Sequence, residues 1–219
     1  MNIAYNADCM EIMRQYPDKY FDLAVVDPPY GIRESGEKNH TRNHIAIAQN
    51  YKPFAGEDLE PPSSGYFAEL ARISKNQIIF GANHFADRLP NPASSCWIVW
   101  DKENGASDFA DCELAWTSFR TAVRIFRFRW NGMLQGNMKN KEVRIHPTQK
   151  PAPLYRWIYR NYAKPGYKIL DTHLGSGSSR IAAYDFGLDF VGCEIDKDYF
   201  EKQEERFADY TAQMRMEGI

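Results

Sequence analysis

Nowhere does this chain reach the ~18 consecutive apolar residues of a membrane-spanning helix, so no span is expected. Its first residues, Met1-Asn2-Ile3-Ala4-Tyr5-Asn6, offer neither a basic region nor an apolar one. No secretory leader is read, and a cytoplasmic protein is the expectation. Cysteine is scarce, and Cys9, Cys96, Cys112 and Cys193 stand far apart with no Cys-x-x-Cys pair; most lie beside apolar strand patterns. Buried free thiols in a reducing compartment are therefore expected. Internal repeats and low-complexity tracts are absent too. The formal net charge of −2 gives no overall attraction to nucleic acid, so any such surface must be local.

What is present suits one domain. A chain of 219 residues can bury a sizeable core. The most informative four residues are Asp27-Pro28-Pro29-Tyr30. They follow Phe21-Asp22-Leu23-Ala24-Val25-Val26, an apolar run that reads as a buried parallel strand. An acid, two prolines and an aromatic ring thus sit past the C-terminal end of a strand, the edge where open α/β sheets bind ligands. Taken alone the four also read as a Pro-rich turn. The chemistry they suit is recognition of a base amino group. Asp27 can accept one N–H and the Pro28 carbonyl the other, held by proline's fixed φ. Tyr30 offers a face for stacking, worth about 1–3 kcal/mol per base.

A second constellation lies late in the chain. Lys168-Ile169-Leu170-Asp171 reads as a short strand, Gly175-Ser176-Gly177 as a turn and Ser179 to Phe186 as a helix; Phe190-Val191-Gly192-Cys193 is a strand ending in Glu194. Strand, glycine turn, helix, strand and terminal acid make one nucleoside-binding βαβ unit. Arg180 stands where a dinucleotide fingerprint would have its third glycine, which argues against NAD.

Together these residues resemble the DNA amino-methyltransferases, in the subgroup whose Asp-Pro-Pro-Tyr motif precedes the glycine-rich motif. Asn6-Ala7-Asp8-Cys9-Met10 is similar to the family's segment before the catalytic strand. His146-Pro147-Thr148-Gln149-Lys150-Pro151 is similar to its signature leading into the cofactor site, and is the most specific single match. The resemblance implies a circularly permuted Rossmann-like methyltransferase fold, with a mostly parallel sheet and helices on both faces. It implies methyl transfer from S-adenosylmethionine to N6 of an adenine flipped out of double-stranded DNA, without a metal, with Asp27, Pro28, Pro29 and Tyr30 as the catalytic motif. It puts Asp171, Gly175, Ser176 and Gly177 against the methionine portion of the cofactor, Glu194 on the ribose, Asp8 near the adenine, and Thr148 and Lys150 near the carboxylate end. Members acting on cytosine N4 more often begin the motif with serine, so Asp27 favours adenine, with N4-cytosine as the alternative. Asp171-Thr172-His173 and Ser178-Ser179 depart from the family's Asp-Pro-Phe and paired threonines, so a catalytically inactive DNA-binding relative is a third reading. Cytosine-C5 enzymes place a nucleophilic cysteine in a Pro-Cys dipeptide, which this chain lacks. Members of the subgroup often dimerise, and occur in restriction-modification systems or alone.

Two segments are candidate DNA readers. Residues 31–62 are long, polar and without periodicity, as a lid or DNA-contacting loop would be. Residues 119–150 hold eight cations and one acid, interleaved with Phe119, Phe126, Phe128 and Trp130. Such a mixture suits either a phosphate-contacting surface with stacking groups or a half-buried strand with a charged face. Cys112 to Ser118 and Ala122 to Phe128 are expected to pair with each other as antiparallel strands.

Overall fold

The computed structural model describes residues 1–32, 60–105, 110–131 and 134–216. In chain order the elements are β1 (Asn2–Asn6), α1 (Cys9–Met13), β2 (Phe21–Val26), α2 (Ser64–Ile73) and β3 (Ser74–Phe80). There follow β4 (Trp97–Asp101), β5 (Cys112–Thr117), β6 (Arg124–Arg127), β7 (Trp130–Asn131) and β8 (Leu134–Gln135). The chain ends with α3 (Ala152–Tyr162), β9 (Lys168–Asp171), α4 (Ser178–Asp185), β10 (Asp189–Glu194) and α5 (Lys197–Met216).

Eight strands form one sheet in the order β1-β10-β9-β2-β3-β5-β4-β6, and β7 with β8 forms a separate antiparallel pair. The five strands from β1 to β3 run parallel to one another. Strand β2 reads as a near-continuous apolar run because both its faces are covered. Leu23 and Val25 join the core under α3 and α4, whereas Ala24 and Val26 join the core under α1 and α2. The helices match this. In α2 the buried residues are Tyr66, Phe67, Leu70 and Ile73, one stripe at helical spacing. In α3 they are Ala152, Leu154, Tyr155, Ile158 and Tyr159. Each leucine, isoleucine or phenylalanine side chain among them contributes roughly 1.5–3 kcal/mol when fully buried. Helices therefore cover both sheet faces, and no helix among the described residues is long and apolar enough to cross a membrane.

The strand order is the permuted one. The glycine-turn strand β9 comes late in the chain and β2 early, yet they are neighbours, with Leu23 opposite Ile169 and Ala24 opposite Leu170. The first strand closes onto the last, as Ile3 opposite Val191.

Two expectations, on the β5 pairing and the cysteines, are corrected, and the open choice for residues 119–150 falls to the half-buried strand. Strands β5 and β6 do not pair. Both edges of β5 are taken, by β3 and β4, so β6 can add only to the free edge of β4, in parallel. The aromatics of the basic segment do not form an outward stacking surface. Phe126 and Phe128 stack on each other and pack on the core, and Trp130 is buried. The cations Arg120, Arg124, Arg127, Arg129, Lys139 and Lys141 remain exposed, as on a half-buried strand and its flanks. Of the cysteines only Cys96 and Cys193 are buried, while Cys112 is exposed at the start of β5; all four are free thiols. The 31–62 segment lies mostly outside the described residues. Its two ends meet, since a Cβ on Gly31 would stand 2.5 Å from Pro61 Cδ.

Candidate active site

Extending the β2–β9 register past Ala24 and Leu170 sets Asp27 level with His173 at the C-terminal edge of the sheet. Both motifs expected to carry chemistry therefore meet at one place.

On the glycine side, Gly175 (φ +51) and Gly177 (φ +73) hold the left-handed backbone that glycine adopts most cheaply. The turn runs into α4, whose first positions, Ser178 and Ser179, are buried. Asp171 is buried beneath the turn. Ser179 Oγ donates to its Oδ2, and the His173 amide donates to Oδ1 at 3.1 Å. Burial pushes the Asp171 carboxyl up to about 7, against those hydrogen bonds. From the end of β10, Glu194 Oε2 accepts the Gly175 amide at 2.8 Å and Oε1 accepts the Asp196 amide at 2.9 Å. Burial raises this carboxyl as well. Asp8 is exposed and caps α1, accepting the Met10 amide at 2.6 Å. The turn is braced by residues the sequence did not single out. Arg206 of α5 donates to the Ser176 carbonyl at 2.7 Å and to Ser178 Oγ at 3.0 Å, and pairs with Glu142 at 2.8 Å. Arg180 ties α4 to β1 and α5 through Asn2, Gln203 and Glu204, which accounts for a long side chain where a dinucleotide site would need glycine.

His173 is the departure from the family pattern. Burial pushes its imidazole down to about 4. Its Nδ1 lies 2.9 Å from Thr172 Oγ1, which in turn lies 2.6 Å from the Tyr66 hydroxyl, and its ring meets Tyr66 edge-on. A hydrogen-bonded imidazole thus stands where the Asp-Pro-Phe pattern has phenylalanine.

On the Asp27 side, the Tyr30 hydroxyl donates to Asp27 Oδ1 at 2.7 Å, and Lys150 Nζ donates to Oδ2 at 2.5 Å. Lys150 is also 3.1 Å from Tyr30 Oη and 3.1 Å from Glu113 Oε2, and Glu113 Oε1 pairs with Lys102 at 2.5 Å. Burial pushes the Asp27 carboxyl up, against the pull of Lys150. Burial alone would lower the Lys150 ammonium, yet Asp27 and Glu113 outweigh it and hold it above the usual lysine value. Glu113 would also rise on burial, but the two lysines bring it down to about 2. The Tyr30 ring stacks on exposed His84 (5.2 Å between centroids, 16° between planes) and lies against Gly81, where a Cβ would stand 2.0 Å from Cε1.

The hexapeptide from His146 to Pro151 joins the two sides. His146 packs on Tyr199 and lies 3.8 Å from where a Cβ on Gly175 would be. Thr148 is exposed, with its hydroxyl 3.1 Å from His146 Nδ1. Lys150, at the other end, points to Asp27. The resemblance puts Lys150 with Thr148 near the carboxylate end of a cofactor; in this structure its ammonium pairs with Asp27 and Glu113. Glu113 escaped sequence reading because a single acid in a half-alternating strand carries no signal. Its place follows from direction: β5 is antiparallel to β3, so its first residues lie at the edge where β2 and β3 end.

Comparison with known proteins agrees with this architecture. Residues 99–205 match the N6/N4 methyltransferase family model, described as DNA methylase. The type II methyltransferase M.HinfI of Haemophilus influenzae is 22% identical over 94% of this chain and 68% of that protein. Among solved structures, M1.HpyAVI in complex with SAM superposes with a TM-score of 0.59 at 21% identity, covering 94% of this chain and 100% of that one. The cytosine-N4-specific PvuII DNA methyltransferase does so at 0.59 and 12% identity, covering 96% and 91%. By the matched segment and the methyltransferase fold that surrounds it, the chain is similar to the N6/N4 DNA methylases.

Proposed function

We propose that the protein transfers a methyl group from S-adenosylmethionine to the exocyclic N6 of an adenine in DNA. The observation that carries this reading is the pairing of β2 with β9, which brings the Asp27 motif and the glycine turn to adjacent strand ends. The residues fit the cofactor. Each oxygen of the Glu194 carboxylate spends one lone pair on a backbone amide and keeps another for a ribose hydroxyl. Gly175 and Gly177 leave the turn open to close approach, Ser176 lines it, and Asp171 below it can accept from the amino group of the methionine portion. Asp8 would lie toward the adenine ring, and Thr148 beside the turn. When bound, the sulfonium supplies an electrophilic methyl.

The chain's own residues address the other reactant. An exocyclic amine has its lone pair delocalised into the ring and is a poor nucleophile. Asp27 and the Pro28 carbonyl would accept its two N–H groups and draw it toward tetrahedral geometry, with Pro29 fixing the path of the backbone. Acceleration would come from positioning and electrostatics. The target base must leave the helix at a cost of a few kcal/mol, offset in part by stacking on aromatic rings at Tyr30. The exposed cations of residues 119–150 would contact phosphates.

Asp27 at the head of the motif supports adenine. The likeness to the cytosine-N4-specific PvuII enzyme supports a second reading, N4 of cytosine. Incubation with S-adenosylmethionine and mixed-sequence duplex DNA, digestion to nucleosides and mass spectrometry separates them. N6-methyladenine is expected; N4-methylcytosine would overturn the base assignment. No methylated nucleoside would favour an inactive DNA-binding relative.

A further inference from the structure

We propose that Glu113 is a positioning residue for methyl transfer, acting through Lys150 on Asp27. The inference rests on the methyl-transfer reading above.

Charges alternate along one line at the sheet edge: Lys102, Glu113, Lys150, Asp27, with the Tyr30 hydroxyl at its end. The Lys150 ammonium has three donors; two are met by Asp27 Oδ2 at 2.5 Å and Tyr30 Oη at 3.1 Å, while Glu113 Oε2 stands 3.1 Å away as an ion-pair partner, buried and without a hydrogen bond of its own. Its side chain is 5% exposed, so water replaces none of these partners easily. In this arrangement the ammonium is nearer Asp27 than Glu113, and an ammonium at contact distance weakens a carboxylate as an acceptor for anything else. Asp27 must nevertheless accept an N–H from the incoming base. Glu113 supplies the second place for the same ammonium. A shift of the ammonium toward Oε2 loosens its hold on Asp27 Oδ2 without leaving a buried charge unpaired, which would be costly. Without Glu113 the lysine has one carboxylate only and stays on Asp27.

Lys102 holds the far oxygen of Glu113 and competes for its charge. Its loss leaves Glu113 a stronger partner for Lys150. A merely structural ion pair would suffer alike from removal of either member, whereas the positioning role makes the two substitutions differ.

The test compares Glu113→Gln and Lys102→Met with the wild-type protein, using S-adenosylmethionine and unmethylated mixed-sequence DNA, with cofactor affinity measured separately by calorimetry. Glu113→Gln is expected to lower kcat about tenfold or more, with cofactor Kd within about twofold of wild type, while Lys102→Met keeps wild-type kcat or exceeds it. Equal losses in the two variants, or an unchanged kcat in Glu113→Gln, overturn the proposal. Should Glu113→Gln not fold, Glu113→Asp keeps the charge but withdraws it from Lys150. A severalfold loss of kcat then supports the role, and wild-type kcat overturns it. A wild-type protein that methylates no DNA fails the methyl-transfer reading itself, and the proposal with it.

Discussion

The Gly175 amide donates to Glu194 Oε2 at 2.8 Å, so the end of β10 fixes the turn that follows β9. The same carboxylate would bind the ribose and hold the turn. Its removal therefore acts on the cofactor twice. Glu194→Ala should weaken S-adenosylmethionine binding about 10- to 100-fold, the equivalent of one or two charge-assisted hydrogen bonds. Isothermal titration checks this, and unchanged affinity would refute the ribose assignment.

Asp27→Ala separates binding from turnover. Lys150 keeps Glu113 as its partner in that variant, so no buried charge is abandoned. The fold and cofactor affinity should persist, while methyl transfer falls by about 10²-fold or more. Wild-type turnover would remove Asp27 from the mechanism.

Gly81→Ala tests the seat of Tyr30. The position has φ +67, and a Cβ would stand 2.0 Å from the Tyr30 ring. Left-handed backbone alone costs about 1–2 kcal/mol for a residue with a side chain. Displacing Tyr30 also breaks its hydrogen bond to Asp27. Urea unfolding should show a loss of about 2 kcal/mol or more, with reduced kcat in the folded fraction. Unaltered stability and activity would mean that Tyr30 does not need this seat.

Stability should depend on pH through His173. Its folded pKa of about 4 lies below the ordinary value of 6.5 in the unfolded chain. The folded state disfavours the proton, so His173 contributes stability above pH 6.5 that is lost as pH falls toward 4. His146, also pushed down to about 4 by burial, adds in the same direction. Asp171 opposes them. Its folded pKa of about 7 is raised, so its contribution is present at low pH and lost as pH rises through 7. The slope of the wild-type protein is a sum of opposing parts, and a single substitution isolates one of them. In thermal unfolding, His173→Gln should lose less Tm between pH 7 and pH 5 than the wild type. Parallel curves would show that His173 does not stay neutral in the folded protein.

The sheet was readable because parallel strands covered on both faces must be apolar runs, as in Phe21 to Val26 and Phe190 to Cys193. The motif residues were readable because Asp27 and Glu194 end such runs. The pairing of β6 was not, because edge availability is decided by strands far away in the chain. For the same reason, periodicity put the aromatics of residues 119–150 on a strand without saying which face would be covered. The partners of Lys150 lie on β2 and β5, and nothing local to the hexapeptide names them. Arg206 lies in a helix whose sequence reads only as acidic and amphipathic, so its grip on Ser176 shows only in three dimensions.

The nearest neighbours at the site are among the most distant in the chain. Asp22 at the start of β2 accepts a hydrogen bond from the Lys168 amide, 146 residues later, and β1 awaits β10. During synthesis at ~5–20 residues per second, Asp27 leaves the ribosome roughly 7 to 30 seconds before the strand beside it exists. Over that interval β2 has no β9 to lie against and the glycine turn has not been made. A chain cut short before Glu194 would hold the Asp27 motif without the carboxylate that braces the Gly175 turn, so under the methyl-transfer reading a site would form only when the chain is nearly finished.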